Sequence, residues 1–301
     1  MKTAIRFSTL LLLVLVAACV PTAQKSVEVI TPPVAMADEG MAIPAAKDGM
    51  TEQKLKNMIF ISPNNGISVQ LVDGGYADEI MTLTLLPQIA TGDLNGDAID
   101  DAAVLLAENN GGSGTFVSLV VIASRDGKFE QVGTTYIDDR PIIESLTIQD
   151  EAILLKAVVH SFNDAMVSPT ENVTFTYRLL ENNLLMMRRT SITPNGVERS
   201  IVIDSPQSGS DVPGTFRITG SMPVAPFENN LSLTIFDLTG VELYRSGFMV
   251  TSEDMGTPAT FDNEITLPAI SNGTWVKLEL ADISMADGSV LTMESVLVKI
   301  K

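Results

Sequence analysis

From about residue 56 onward the chain alternates apolar and polar positions in short runs. These runs are punctuated by clusters of Asn, Asp, Gly and Pro, a pattern of β-strands joined by turns. Residues 57–61 and 67–72 predict the arms of a hairpin, with Pro63-Asn64-Asn65-Gly66 as the turn between them. Asp73-Gly74-Gly75 closes it, and residues 80–85 alternate again. Residues 102–107 (Ala-Ala-Val-Leu-Leu-Ala) form an unbroken apolar run too short for a helix, which predicts a buried strand. The β-branched run 116–122 predicts a central strand, and Asn109-Asn110-Gly111-Gly112-Ser113-Gly114 before it a hairpin turn. Strands are further predicted over 142–148, 153–159, 173–180 and 184–187. A helical turn is allowed over 51–57.

The turn formers Thr193-Pro194-Asn195-Gly196 suggest a junction, and the last hundred residues repeat the pattern. Residues 201–203, 216–220, 231–236, 241–244, 260–267, 275–280 and 291–300 give about seven strands at regular spacing, a count that suits an immunoglobulin-like sandwich. Trp275 then reads as a core residue. The fold class is all-β: an antiparallel domain over 51–192, followed by an immunoglobulin-like β-sandwich over 198–301.

The N-terminus has a different pattern. Met1-Lys2-Thr3-Ala4-Ile5-Arg6 is short and basic, residues 10–16 are apolar, and Val16-Ala17-Ala18-Cys19 follows. That order describes a secretory signal, with an apolar stretch too short to span a bilayer. Cys19 is the chain's only cysteine. Its setting resembles the lipobox of bacterial lipoproteins, which implies a signal peptide over 1–18, lipidation of Cys19, and an exported protein anchored to the bacterial membrane on its outer side. An ordinary signal peptide with a chance cysteine is the alternative. Residues 19–50, rich in Pro and Ala and without a sustained period, read as a flexible tether. A chain with one cysteine has no internal disulfide, so apolar burial must hold the fold.

Charge narrows the partners. The chain has 37 acidic residues against 19 basic ones, a formal net charge of −18. Such a surface repels phosphate backbones, and no basic patch offsets it, which argues against nucleic acid. An aromatic content of 5% argues mildly against a sugar platform.

The acids concentrate in Gly92-Asp93-Leu94-Asn95-Gly96-Asp97-Ala98-Ile99-Asp100-Asp101. Oxygen-bearing side chains at Asp93, Asn95, Asp97 and Asp101, with the carbonyl of Ile99, match positions one, three, five, nine and seven of a calcium loop. Position six, where the chain turns left-handed and Gly is usual, is Ala98, at roughly 1 kcal/mol. Val104 replaces the twelfth-position Glu. Calcium is therefore the candidate cofactor, with a dissociation constant of about 10⁻⁴ to 10⁻³ M. A solvated turn whose Asp and Asn side chains cap local amides is the other reading.

Two resemblances attach to these residues. Ile203-Asp204-Ser205-Pro206-Gln207-Ser208-Gly209, Phe216-Arg217-Ile218-Thr219-Gly220, Pro226-Phe227-Glu228-Asn229-Asn230-Leu231 and Met285-Ala286-Asp287-Gly288-Ser289 form an ordered series. It resembles Gmad2, the immunoglobulin-like domain named after bacterial spore germination proteins, over about 198–301. The resemblance implies a sandwich without catalytic residues; a spore role does not follow. The first domain is similar to uncharacterised domains of bacterial surface lipoproteins, and its acidic loop resembles those of FG-GAP and integrin-type propeller blades. One such loop does not make a propeller.

Catalytic groups are scarce. Ser113 lacks the second Gly of a nucleophile elbow, since Thr115 stands there. The glycine loop lacks the Lys-Ser/Thr ending of a phosphate cradle. His160 is the only histidine, which reads as structural or surface and leaves zinc and Ser-His-Asp chemistry without parts. Two function classes remain: a non-catalytic, lipid-anchored envelope protein that binds or presents an extracellular envelope protein or polysaccharide, and a surface hydrolase using carboxylates such as Asp138, Asp139 or Glu144 on polysaccharide or peptide.

Overall fold

A computed structural model describes residues 50–125 and 127–301. Cys19, the signal region and the tether lie outside them. A single helical turn, α1 (Glu52–Leu55), opens the described part, with the Thr51 hydroxyl accepting from the Lys54 amide. The hairpin β1 (Ile59–Ile61) and β2 (Ser68–Gln70) follows. A five-stranded antiparallel sheet then runs in chain order through β3 (Gly75–Ala77), β4 (Thr82–Gly92), β5 (Asp101–Asn109), β6 (Phe116–Arg125) and β7 (Lys128–Asp139).

The centre of that sheet explains the unbroken apolar run. Leu105 and Leu119 face one cluster with strands further along the chain, while Val104 and Val120 face another with Phe60 and Val69 of the hairpin. A strand covered on both faces has no polar side.

Four strands in meander follow: β8 (Ile142–Gln149), β9 (Ala152–Val159), β10 (Glu171–Leu180) and β11 (Asn183–Ile192). Their inner face, including Leu155, Phe175 and Tyr177, closes on the five-stranded sheet. The chain continues through β12 (Glu198–Arg199), β13 (Val202–Ser205), β14 (Asp211–Val212), β15 (Thr215–Met222), β16 (Asn230–Asp237), β17 (Glu242–Met249), β18 (Thr251–Ser252), β19 (Ala259–Thr266), β20 (Trp275–Ile283) and β21 (Val290–Ile300). Strands β13, β15, β19 and β18 form a four-stranded sheet. It packs through Phe216, Ile218 and Phe261 on Leu233, Leu278 and Val298 of the strands opposite, a two-layer sandwich as expected.

The junction between the halves is a sheet seam. Strand β21 pairs with β11 in the registers Arg188↔Glu294 and Arg189↔Met293, so β8–β11 and the β21, β20, β16, β17 layer, with β12 on β11 and β14 on β21, are one sheet of ten strands. Side chains of paired residues share a face. Phe175, Arg189, Met293 and Ala281 therefore stand on one face and Arg188, Glu294 and Leu280 on the other. Phe175 belongs to the core of the first half and Leu280 to that of the second. The two covering sheets thus lie on opposite faces of the shared one.

Two expectations need correction. Trp275 is 39% exposed at the start of β20 and is not a core residue; the interior is filled by Val276 and Leu278 after it. Strand β7 is absent from the expected strands because its exposed and half-buried positions mix Thr, Gln, Glu and Gly, which blurs the alternation.

Buried side-chain bonds reinforce the seam. The Thr292 hydroxyl donates to the Arg189 carbonyl at 2.8 Å, and the Ser191 hydroxyl to the Leu291 carbonyl at 2.9 Å. Thr292→Val and Ser191→Ala should each lower stability by about 1 kcal/mol, or roughly 2–4 °C in melting temperature. Because the seam couples the halves, fluorescence of Trp275 in the second half and far-UV circular dichroism of the whole should trace one coincident transition. Two separated transitions would show that the seam does not couple them.

Candidate functional site

The loop between β4 and β5 brings the predicted site residues together around their own backbone. Asp93 Oδ1 accepts from the amides of Asn95 (3.1 Å) and Gly96 (2.7 Å), and Oδ2 from Ala98 (2.8 Å). Asn95 Oδ1 accepts from the Asp97 amide, and Asp97 Oδ1 from the Ile99 amide. Ala98 has φ of +60°, the left-handed turn anticipated for position six. Asp93 is partly desolvated, yet the Ala98, Gly96 and Asn95 amides hold its carboxyl below the usual range.

Asp101 is different in kind. It is fully buried, with Oδ2 accepting from the Leu94 amide and Oδ1 from the Ser124 amide, both at 3.1 Å. It ties the loop to the end of β6. Burial, with repulsion from Asp97 and Asp93, raises its carboxyl against those two bonds. Among the described residues, no three His, Cys, Asp or Glu side chains form a metal-holding group. Both Asp93 oxygens, Asn95 Oδ1 and Asp97 Oδ1 are engaged as caps.

The acids considered for hydrolysis occupy separate environments. Asp139 pairs with Arg140 at 2.6 Å and accepts from the Thr115 amide; the Arg140 bond is the main cause that holds its carboxyl low. Glu144 falls at a bulge in β8, beside a cavity of about 330 Å³ shared with Lys156. Asp138 accepts from the His160 amide at 2.6 Å and meets His160 Nδ1 at 2.8 Å. A carboxylate there fixes the proton of the neutral ring on Nδ1. Nε2 is buried without a hydrogen-bond partner, so the pair reaches no nucleophile.

Among the described residues, the carboxyls held above the usual range are elsewhere. Besides Asp101, they are Asp282, raised by burial and opposed by Arg199, and Glu294, raised by burial and opposed by Arg188. They flank the seam rather than a shared cleft. Nothing in the spacing of acids along the sequence distinguishes these buried residues from exposed ones.

The second half carries a recognisable series of turn and packing devices. A Cβ on Gly220 would lie 2.0 Å from the Val202 carbonyl oxygen and 2.5 Å from the Phe261 ring, so no larger residue fits between β13, β15 and β19. Glu228 and Asn229 are both left-handed, and the Asn229 side chain accepts from Ser252. Asp287 Oδ1 accepts from the Ser289 amide and hydroxyl across Gly288, which has φ of +76°.

Residues 200–289 match the Gmad2 family, the immunoglobulin-like domain of bacterial spore germination. These turn and packing devices all lie inside the matched segment. Among curated proteins, none matches the sequence.

A pH test separates the buried acid from its neighbours. The folded value of Asp282 lies above its unfolded value of about 3.8. Its contribution to stability is therefore full below that pH and is lost as pH rises through the folded value. Asp282→Asn should melt a few degrees above wild type at pH 7, and the gain should vanish as pH falls below 4. A gain independent of pH would contradict the burial argument.

Proposed function

We propose that the chain is a non-catalytic, lipid-anchored protein of the bacterial envelope whose β-domains bind or present an envelope protein or polysaccharide outside the membrane. The match of residues 200–289 to Gmad2 carries this reading. An immunoglobulin-like sandwich offers edges and loops instead of a catalytic pocket, and the domain's name points to a surface or extracellular location. Export and anchoring rest on the signal-like N-terminus and Cys19. No helix among the described residues is long and apolar enough to cross a membrane. Two or three acyl chains, at about 0.8 kcal/mol per buried methylene, hold such a protein stably.

The hydrolase reading has the Asp138–His160 bond in its favour. His160 Nε2 meets no hydroxyl that it could activate, so the binding reading is preferred.

Anchoring is tested by detergent phase separation of cell extracts. Wild type should enter the detergent phase and Cys19→Ala should remain in the aqueous phase; equal partitioning would end the lipid reading.

In the same proposal the acidic loop takes calcium weakly, through Asp93, Asn95, Asp97 and the Ile99 carbonyl, with Asp101 as the buried support. At ten times the dissociation constant, calcium should add about 1.4 kcal/mol of stability. The melting temperature of the purified protein should rise in 10 mM calcium and not in 10 mM magnesium, and Asp97→Ala should abolish the rise. An unmoved wild type would leave the loop as a capped turn.

A further inference from the structure

A cavity of about 710 Å³ lies where the two halves meet. Ligand pockets measure about 300–1,000 Å³ and concentrate at junctions between modules. Loop 160–170 contributes His160 and Phe162, turn 284–289 contributes Ser284 and Asp287, and β11 and β12 contribute Arg189 and Arg199.

Both flanking loops are closed by their own aspartates. Asp164 accepts from the Ser161 amide (2.9 Å), the Thr170 amide (2.8 Å) and the Thr170 hydroxyl (2.9 Å). Asp287 closes the other, as described above. The loops are therefore formed before any ligand arrives. They nevertheless leave Phe162 60%, Met166 63%, Val167 71% and Met285 76% exposed. Apolar side chains on pre-shaped backbone lose less entropy when covered, and Phe, Met and Arg are enriched at recognition surfaces.

The polar groups of the cleft are unevenly matched. Arg189 is paired with Glu171 at 2.7 Å, and His160 Nδ1 with Asp138. Arg199 is not so matched. Its Nε is buried without a hydrogen-bond partner, and among the described residues no carboxylate lies within 4.0 Å of its guanidinium, in a chain of net charge −18. The buried Asp282 carboxyl feels its field without bonding to it. A half-buried guanidinium lacking an anion invites one, and its planar fork suits a carboxylate.

We propose that this cleft binds a peptide segment bearing a carboxylate, which meets Arg199 while neighbouring apolar side chains cover Phe162 and Met285. The inference rests on the reading that the chain binds rather than catalyses. A sugar chain fits less well, because Phe162 is the one aromatic ring besides His160 in the lining and successive sugar rings have no platform.

Three acetylated hexapeptides of alternating Leu and Ser supply the test. One has a free C-terminal carboxylate, one an amidated end with a central Asp in place of Ser, and one an amidated end and no carboxylate. Each is titrated calorimetrically into the purified full-length protein. At least one carboxylate peptide should bind about tenfold or more tightly than the neutral one, and the better of the two identifies a terminal or side-chain source. Arg199→Gln should erase the preference, and Phe162→Ser, at an exposed position, should weaken every peptide. Circular dichroism and melting temperature establish that each variant is folded. Equal binding of all three peptides, an undiminished preference in folded Arg199→Gln, or no binding at millimolar peptide would each overturn the assignment. In those cases the anchoring test still decides the envelope reading separately.

Discussion

The pairing of β11 with β21 is the constraint on which the rest depends. Without it, each half would present an open strand edge, with a row of unpaired amides and carbonyls ready to join another chain. The pairing, with β12 on β11 and β14 on β21, covers both edges. Charges reinforce it: Arg188 bonds to Glu294 across the seam, and Lys277 donates to the Met186 carbonyl at 3.2 Å while pairing with Glu279 at 2.6 Å and lying 4.6 Å from the centre of the Phe236 ring. Partly buried ion pairs add little net stability, because desolvation offsets their attraction. A slip of register, however, would separate Arg188 from the mostly buried Glu294 and Lys277 from the Met186 carbonyl, so these two contacts penalise misalignment more than they strengthen the correct fold.

Register also fixes where the covering sheets go. Because side chains alternate along a strand, the face that carries Phe175 at the first half's core continues through Arg189, Met293 and Ala281, while the second half's core uses Leu280 on the reverse. A single sheet covered on opposite faces at its two ends leaves a step where one cover stops. Arg189 lies at that step, its guanidinium 5.8 Å from the Phe175 ring centre and bonded to Glu171 and the Leu291 carbonyl. The cleft is thus a geometric consequence of how the halves join, and neither half alone would contain it.

Part of the strong acidity serves turns. Asp164 is held low by the Ser161 amide first and Thr170 next, and Asp237 by the Thr239 hydroxyl and the Val241 amide, each closing a loop around its carboxylate. An acid whose folded value is depressed stabilises the fold above its unfolded value and loses that contribution as pH falls. Asp101, Asp282 and Glu294 act in the opposite sense, because burial raises them. In a β-protein without disulfides, carboxylates that cap amides substitute for covalent staples in the loops. The formal charge therefore measures loop chemistry as well as surface repulsion.

Much of this architecture was legible in the chain, for reasons that also explain the gaps. The run 102–107 announced a doubly covered strand because burial on both faces erases alternation, and Ala98 announced a left-handed turn because the acidic spacing requires one at that point. Strand β7 escaped because Gly133 and its polar neighbours hide the period; a Cβ on Gly133 would lie 2.9 Å from Leu184, a contact between distant segments that no local pattern encodes. The seam was unreadable for the same reason: Arg188 and Glu294 are 106 residues apart, and nothing near either marks the other. The candidate site divides along that line. A loop made of consecutive residues can be read as a possible cation site before its geometry is known, although its oxygens prove to serve neighbouring amides. A cleft assembled from Phe162, Arg199 and Asp287 depends wholly on long-range pairing. Local signals thus favour the contiguous loop, whereas the unmatched guanidinium emerges only after the two halves are joined.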